Sequence, residues 1–345
     1  MKQGSKYGLH RVLSPKGVLP QAADVIANDM TIYDNEILID VDALNIDSAS
    51  FRQLSEEAAG DEEKIAAKIM EIVNERGKMQ NPVTGSGGML IGRVSKIGKS
   101  LEGKIDLLPG DKIATLVSLS LTPLKIERIV GIKKAIDRVD IVGQAILFES
   151  GIYAKLPDDL SESVALAALD VAGAPAQMAK LVSAGQHVLI VGTAGKSGTL
   201  CAAVAKEKAG EDGVVVGCDL YENGGDFLLQ HGYLDHYFAV DATAAGEVLE
   251  KALSANGQAE YDVAVVTVNA PGSEMSAILP VKDGGIVYFF SMATSFTKAA
   301  LGAEGVGKDV SMLIGNGYTK GHADYTIELL RREKPLRDRF ESVYC

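Results

Sequence analysis

His187-Val188-Leu189-Ile190-Val191-Gly192-Thr193-Ala194-Gly195-Lys196-Ser197-Gly198 is the stretch on which the fold turns. Residues 187–191 read as a short buried strand, and the glycines that follow at three-residue spacing read as a strand-to-helix turn. Beyond the turn, Leu200, Cys201 and Val204 face inward and Lys206 and Lys208 outward, until Gly210 ends the helix. The same alternation continues outward, with strand patterns at 214–218, 237–240, 262–268, 285–290 and 310–314. Helical patterns lie between and after them at 246–253, 274–279, 296–303 and 324–332. Strands and helices in strict alternation, joined by right-handed crossovers, predict an α/β fold with a doubly wound six-stranded parallel sheet.

Upstream the pattern differs. Strand patterns at 36–42, 89–97, 112–117 and 144–147 are separated by glycine-rich turns, and one strong helix occupies 61–76. In that helix Ile65, Ile69, Ile72 and Val73 keep helical spacing, acids open it and Gly77 closes it. A mostly β domain with an inserted helix is expected. The helix start at Pro157-Asp-Asp-Leu-Ser161 places the junction there, giving domains at 1–158 and 159–345. At about 150 residues per domain, a length of 345 agrees with two.

Apolar residues make up 47% of the chain and charged residues 23%, which supports packed cores and argues against disorder. The 34 Lys and Arg against 46 Asp and Glu leave a net charge of −12, a surface that repels phosphate backbones and anionic lipid. Neither nucleic acid nor membrane is an expected partner. The most apolar stretch, 164–176, is cut by Asp170, Gly173 and Pro175 and is shorter than the ~20 residues a bilayer demands. No apolar run of signal-peptide length follows Lys2, Lys6 and Arg11. Cys201, Cys218 and Cys345 form neither a close pair nor a C-x-x-C spacing, so a reducing, cytoplasmic setting is expected.

A glycine turn opening a helix can hold a phosphate, because small residues let the anion approach free N–H groups at the positive end of the helix dipole. Gly192, Thr193, Ala194, Gly195, Lys196, Ser197 and Gly198 form that turn, with Lys196 directed to the pyrophosphate or to solvent. The next strand ends in Asp219, 21 residues past Gly198 and followed by Leu220, where a ribose-binding acid is expected. A carboxylate there accepts from ribose hydroxyls and repels a 2′-phosphate, and no Lys or Arg occurs between Lys208 and Lys251. The expected cofactor is therefore NAD, not NADP. Gly195-Lys196-Ser197 also looks like the end of a nucleoside-triphosphate loop, but that motif needs glycine where Ile190 lies inside the strand. Asn269 and Ser291 follow the fourth and fifth strands, at carboxyl ends where such sheets bind ligand.

The β domain followed by βαβ units resembles the medium-chain dehydrogenase/reductase superfamily over most of the chain. The motifs that carry this are Gly110-Asp111-Lys112-Ile113-Ala114, Leu156-Pro-Asp-Asp-Leu160 and Asp283-Gly-Gly-Ile-Val287. The resemblance implies a GroES-like first domain bearing catalytic and substrate groups and a Rossmann second domain binding NAD. The superfamily's zinc branch carries a G-H-E segment and a cysteine; the matching Gly87-Gly88-Met89 and Ala43-Leu-Asn-Ile-Asp47 contain neither His nor Cys, so no catalytic zinc is expected. Against the zinc-free pattern L-N-x-x-D-x-x-x-R, the chain has Leu44, Asn45 and Arg52, with Ser48 in the acid's place and Asp47 one residue earlier. About a dozen residues follow the last predicted helix, so the first domain is expected to come almost wholly from the N-terminal half.

Closer still, Lys6-Tyr-Gly-Leu-His-Arg-Val12, Pro15-Lys-Gly-Val-Leu-Pro-Gln21, Gly85-Ser-Gly-Gly-Met-Leu-Ile-Gly92 and Thr193 to Gly198 are similar to the L-erythro-3,5-diaminohexanoate dehydrogenases. These are NAD-dependent amine dehydrogenases of lysine fermentation. That resemblance implies oxidation of the C3 amine to an imine, release of ammonia and 5-amino-3-oxohexanoate by water, and a homodimer. An amine needs no metal for this once a base has neutralised it, because its lone pair enters the forming C=N bond. Asp47 is the first candidate base, against a solvated turn aspartate. Ser48 stands beside it. Glu149, after residues 145–148, is a second candidate at a strand end, against a structural ion pair, and Arg52 either holds the substrate carboxylate or is a surface helix cation. His10, His187, His231, His236 and His322 share no metal spacing. Two other functions remain open, an NADH-dependent quinone or enoyl reductase and a non-catalytic nucleotide sensor.

Overall fold

The computed structural model describes residues 2–315 and 317–344. Cys345 lies outside the described residues. The chain divides into two compact units, residues 1–158 and 159–345.

The first unit begins with the short pair β1 (Val12–Ser14) and β2 (Val25–Ile26). Then come β3 (Glu36–Asn45), α1 (Ser48–Glu57), α2 (Glu62–Arg76), β4 (Met89–Ile97), β5 (Lys112–Thr115), β6 (Leu124–Lys133), β7 (Arg138–Phe148) and β8 (Tyr153–Lys155). Six of the strands form an antiparallel sheet in the order β6-β7-β3-β4-β5-β8. Helix α2 forms because Asp61 caps the Glu63 and Lys64 N–H groups and Gly77 ends it in the left-handed region at φ 73°. Ile65, Ile69, Ile72 and Val73 bury one face of α2, each worth about 2 kcal/mol of transfer free energy.

Three expectations for this unit are corrected. Strand β6 carries no strand pattern in the sequence because Lys125, Glu127, Arg128 and Lys133 interrupt its apolar residues; it is a sheet edge, where charge guards unpaired backbone. Strand β7 begins at Arg138, six residues before the expected start, its first half alternating half-buried and buried positions. Helix α1 is a second helix, its short polar sequence anchored by buried Phe51 and Leu54.

The second unit runs α3 (Glu162–Leu169), α4 (Gly173–Leu181), β9 (His187–Val191), α5 (Lys196–Ala209), β10 (Val214–Asp219), α6 (Asp226–Gln230), β11 (His236–Ala239) and α7 (Ala245–Ala255). It continues through β12 (Tyr261–Val266), α8 (Glu274–Ile278), β13 (Val281–Phe289), α9 (Phe296–Val306), β14 (Ser311–Ile314), α10 (His322–Arg332) and α11 (Lys334–Val343). All six strands are parallel, in the order β11-β10-β9-β12-β13-β14. This is the doubly wound order, with its switch point between β9 and β12. Leu200, Cys201 and Val204 of α5 are buried as the sequence implies. The residues after α10 are corrected from a short tail to helix α11, which buries Leu336 and Phe340. Among the described residues no helix is long and apolar enough to cross a membrane.

Candidate functional site

The glycine turn lies at the carboxyl end of β9, beside the switch point. Gly192 adopts φ 101°, and a β-carbon there would stand 2.4 Å from the Val268 nitrogen, so glycine is dictated by the fold. The Gly192 and Thr193 N–H groups both donate to the Cys218 carbonyl, at 2.9 and 3.2 Å, and the Thr267 hydroxyl donates to the Gly192 carbonyl at 2.6 Å. A β-carbon on Gly198 would stand 2.0 Å from the Gly192 oxygen. Gly195 differs from both: it is exposed, nothing lies within 4 Å of where its β-carbon would be, and it is the N-cap of α5 without a side-chain capping bond. Packing within the chain gives no reason for glycine at 195. With no side-chain cap, the first-turn N–H groups of α5 leave this exposed end able to hold an anion.

Asp219, the last residue of β10, is half-buried, with Oδ2 accepting from the Ala194 N–H at 2.9 Å and Oδ1 from the Leu220 N–H at 2.8 Å. Each oxygen keeps a further lone pair, so the carboxylate is held in place with acceptor capacity left for two hydroxyls. Leu220 itself is exposed. Lys196 opens α5 with its ammonium 2.6 Å from the Asp170 carboxylate, which makes it an ion pair rather than a free cation. Ser197 is half-buried in the first turn of α5. Asn269 is exposed beyond β12, and Ser291, whose N–H donates to the Val266 carbonyl at 3.1 Å, lies just beyond β13. Both share the carboxyl end of the sheet with the glycine turn.

In the first unit, Asp47 is the N-cap of α1. Its Oδ1 accepts from the Ala49 and Ser50 N–H groups at 2.9 and 3.3 Å, and its Oδ2 accepts from the Ser86 hydroxyl. Ser48 is exposed and donates to Asp137 at 2.6 Å. Arg52 is exposed on α1 and has no ion pair among the described residues. Glu149 is not brought to this group. It follows β7 at the end where Phe148 pairs with Glu36, whereas Asp47 lies past the Asn45 end of β3, about 30 Å along the strand. There Glu149 accepts from the Asn35 side chain at 3.0 Å.

Around Asp47 the structure gathers residues the sequence did not single out. Asn81 is buried, donating to the Ser50 carbonyl and to Gln53 while its Oδ1 accepts from the Val83 and Thr84 N–H groups. The Thr84 and Ser50 hydroxyls are 2.6 Å apart. The Gly87-Gly88 pair was the available signal: a β-carbon on Gly88 would stand 2.1 Å from the Asn45 oxygen, so the 81–88 segment lies directly against the start of α1. Nearby, Lys78 is buried with its ammonium 2.7 Å from the Pro20 carbonyl. Burial, with some repulsion from Arg76, pushes it down to about 8.

The glutamate at the other end of β3 is fully engaged. Glu36 accepts from Arg11 at 2.7 Å through each oxygen, from the Tyr33 N–H at 2.9 Å, and lies 2.8 Å from His10 Nε2. Burial alone raises its carboxyl, but the hydrogen bonds from Arg11 and Tyr33, the Arg11 charge and the His10 contact together hold it below the ordinary 4.5. The Cys201 and Cys218 thiols are buried, and burial pushes both up, so neither is a nucleophile at neutral pH. Among the described residues, no group of three or more His, Cys, Asp or Glu has an arrangement that could hold a metal ion.

Comparison with known proteins identifies the family. Residues 10–157 match the family model described as the L-erythro-3,5-diaminohexanoate dehydrogenase N-terminal domain. A protein of Acetoanaerobium sticklandii named L-erythro-3,5-diaminohexanoate dehydrogenase is 64% identical over 342 residues, 99% of each chain. One of the same name from Fusobacterium nucleatum is 62% identical over 346 residues, 100% of each. Among solved structures, a crotonyl-CoA carboxylase/reductase in complex with NADP is similar in fold, with TM-score 0.56 and 13% identity over 94% of this chain and 83% of that one. Chain-length identity at this level means that this protein belongs to the L-erythro-3,5-diaminohexanoate dehydrogenase family, within the medium-chain dehydrogenase/reductase fold.

Proposed function

We propose that the chain oxidises L-erythro-3,5-diaminohexanoate with NAD, without a metal ion, giving 5-amino-3-oxohexanoate and ammonia. The observation that carries the cofactor half is the Asp219 carboxylate, anchored by two backbone N–H groups at the end of β10 with lone pairs to spare. Those lone pairs suit the two hydroxyls of an unphosphorylated ribose, and the same negative charge opposes a 2′-phosphate. The exposed Gly195 backbone and the α5 N-terminus would hold the pyrophosphate. NAD, when bound, supplies the hydride acceptor.

The chain's residues supply the rest. A carboxylate such as Asp47 takes the proton from the C3 ammonium, the amine lone pair forms C=N as hydride leaves C3, and water then adds to carbon and displaces ammonia. Arg52, an exposed cation without an ion pair among the described residues, is suited to the substrate carboxylate. Metal independence is part of this reading, because residues 43–47 and 87–89, which match the zinc branch's ligand segments, contain neither His nor Cys. A cytoplasmic homodimer belongs to the same reading.

The test is NADH formation from the diamino acid by chelator-treated protein, with NADP, quinones and enoyl thioesters run in parallel. Turnover with NAD that survives chelation is expected. Preference for NADP, loss of activity on chelation, or turnover of quinones instead would overturn the corresponding part.

A further inference from the structure

We propose that Tyr344 is a positioning residue for the dinucleotide, its hydroxyl fixing the Ala194–Gly195 peptide so that the Gly195 N–H faces the pyrophosphate. This rests on the dinucleotide reading of the turn. The turn contains two successive peptides, and they are held differently. The Thr193–Ala194 peptide is gripped at both ends: its carbonyl accepts from the Thr199 hydroxyl at 3.3 Å and its N–H donates to Asp219 at 2.9 Å. The Ala194–Gly195 peptide is gripped at one end, where the Ala194 carbonyl accepts from the Tyr344 hydroxyl at 3.0 Å.

A trans peptide carries its C=O and N–H on opposite sides. Holding the carbonyl toward Tyr344 therefore turns the Gly195 N–H the other way. Among the described residues nothing accepts from the Gly195 N–H, and Gly195 is exposed. The hydroxyl is itself well placed. Tyr344 follows α11, its N–H donates to the Phe340 carbonyl at 3.1 Å, and its ring meets the buried Phe340 ring edge-on at 5.0 Å. A side chain 150 residues away in sequence thus completes the phosphate turn.

The experiment compares full-length wild type with Tyr344→Phe, which keeps the ring on Phe340 and removes only the hydroxyl. Binding of ADP-ribose, which contains the pyrophosphate, and of adenosine, which does not, is measured by calorimetry alongside steady-state kinetics. Losing one hydrogen bond of about 1 kcal/mol should weaken ADP-ribose and raise the KM for NAD roughly fivefold, leaving adenosine affinity, kcat and Tm nearly unchanged. Unchanged ADP-ribose binding, or equal losses for adenosine and ADP-ribose, would overturn the positioning role. Wild-type protein that binds neither probe would overturn the dinucleotide reading itself.

Discussion

Replacing Gly198 with alanine would put a methyl group 2.0 Å from the Gly192 carbonyl, whereas the same change at Gly195 meets nothing within 4 Å. The two substitutions therefore separate folding from binding. Gly198→Ala should lose about 2 kcal/mol of stability through overpacking. Gly195→Ala should leave the urea midpoint in place while NADH affinity falls about tenfold, because the methyl occupies space only a ligand would use; unchanged affinity would argue against a phosphate at the turn. Asp47 allows a similar separation. Asparagine caps helices as well as aspartate, so Asp47→Asn should keep stability, whereas Asp47→Ala should lose about 1 kcal/mol with the cap. If the carboxylate accepts the substrate proton, Asp47→Asn should lower kcat about 100-fold at unchanged Tm. A kcat close to wild type would leave Asp47 with capping alone. The glycine turn and the place of Asp219 at the end of β10 were legible because local sequence dictates where a strand ends and a helix begins. Tyr344, Ser86 and Asn81 were not, because their roles depend on contacts that local sequence does not reveal.

At the scale of elements, the first strand of the large antiparallel sheet is clasped at one end by the N-terminal segment. Arg11 is 1% exposed and Glu36 0%, and their paired hydrogen bonds, with Tyr33 and His10, satisfy both carboxylate oxygens. Removing one member of a buried pair leaves an uncompensated charge, so Arg11→Leu should cost about 3–5 kcal/mol, with Glu36→Gln less severe because the Arg11 guanidinium it strands keeps the exposed Asp29 carboxylate 3.4 Å away. The pH dependence has a definite sign. The folded Glu36 carboxyl titrates below 4.5, so the unfolded chain binds more protons in that range. The pair's contribution is complete above pH 4.5 and is lost as pH falls through the lower folded value. Urea midpoints measured from pH 7 to pH 3 should converge for wild type and Glu36→Gln at the acid end; parallel curves would contradict the shift. Element readings succeeded where burial is two-sided, as in β9 and β12, and failed at β6 and α1, whose charged or polar faces dilute the apolar period.

For the whole molecule, the net charge of −12 bears on a substrate that carries two ammonium groups and one carboxylate. An acidic protein attracts such a cation and repels the dinucleotide, and added salt screens both effects. Raising ionic strength from roughly 0.02 to 0.5 M should therefore lower kcat/KM for the diamino acid about twofold or more while leaving or improving NADH affinity. The opposite pair of trends would show that local charges dominate. By itself the sequence determined the two-part organisation, the parallel sheet and the glycine turn between β9 and α5, since each follows from hydrophobic period and glycine spacing between near neighbours in the chain. Only the tertiary structure separated Glu149 from Asp47 by the length of β3, paired Lys196 with Asp170 and brought Tyr344 to Ala194. Strand register and helix docking decide which distant residues meet, and they are set by packing over the whole core, which no local stretch of sequence encodes.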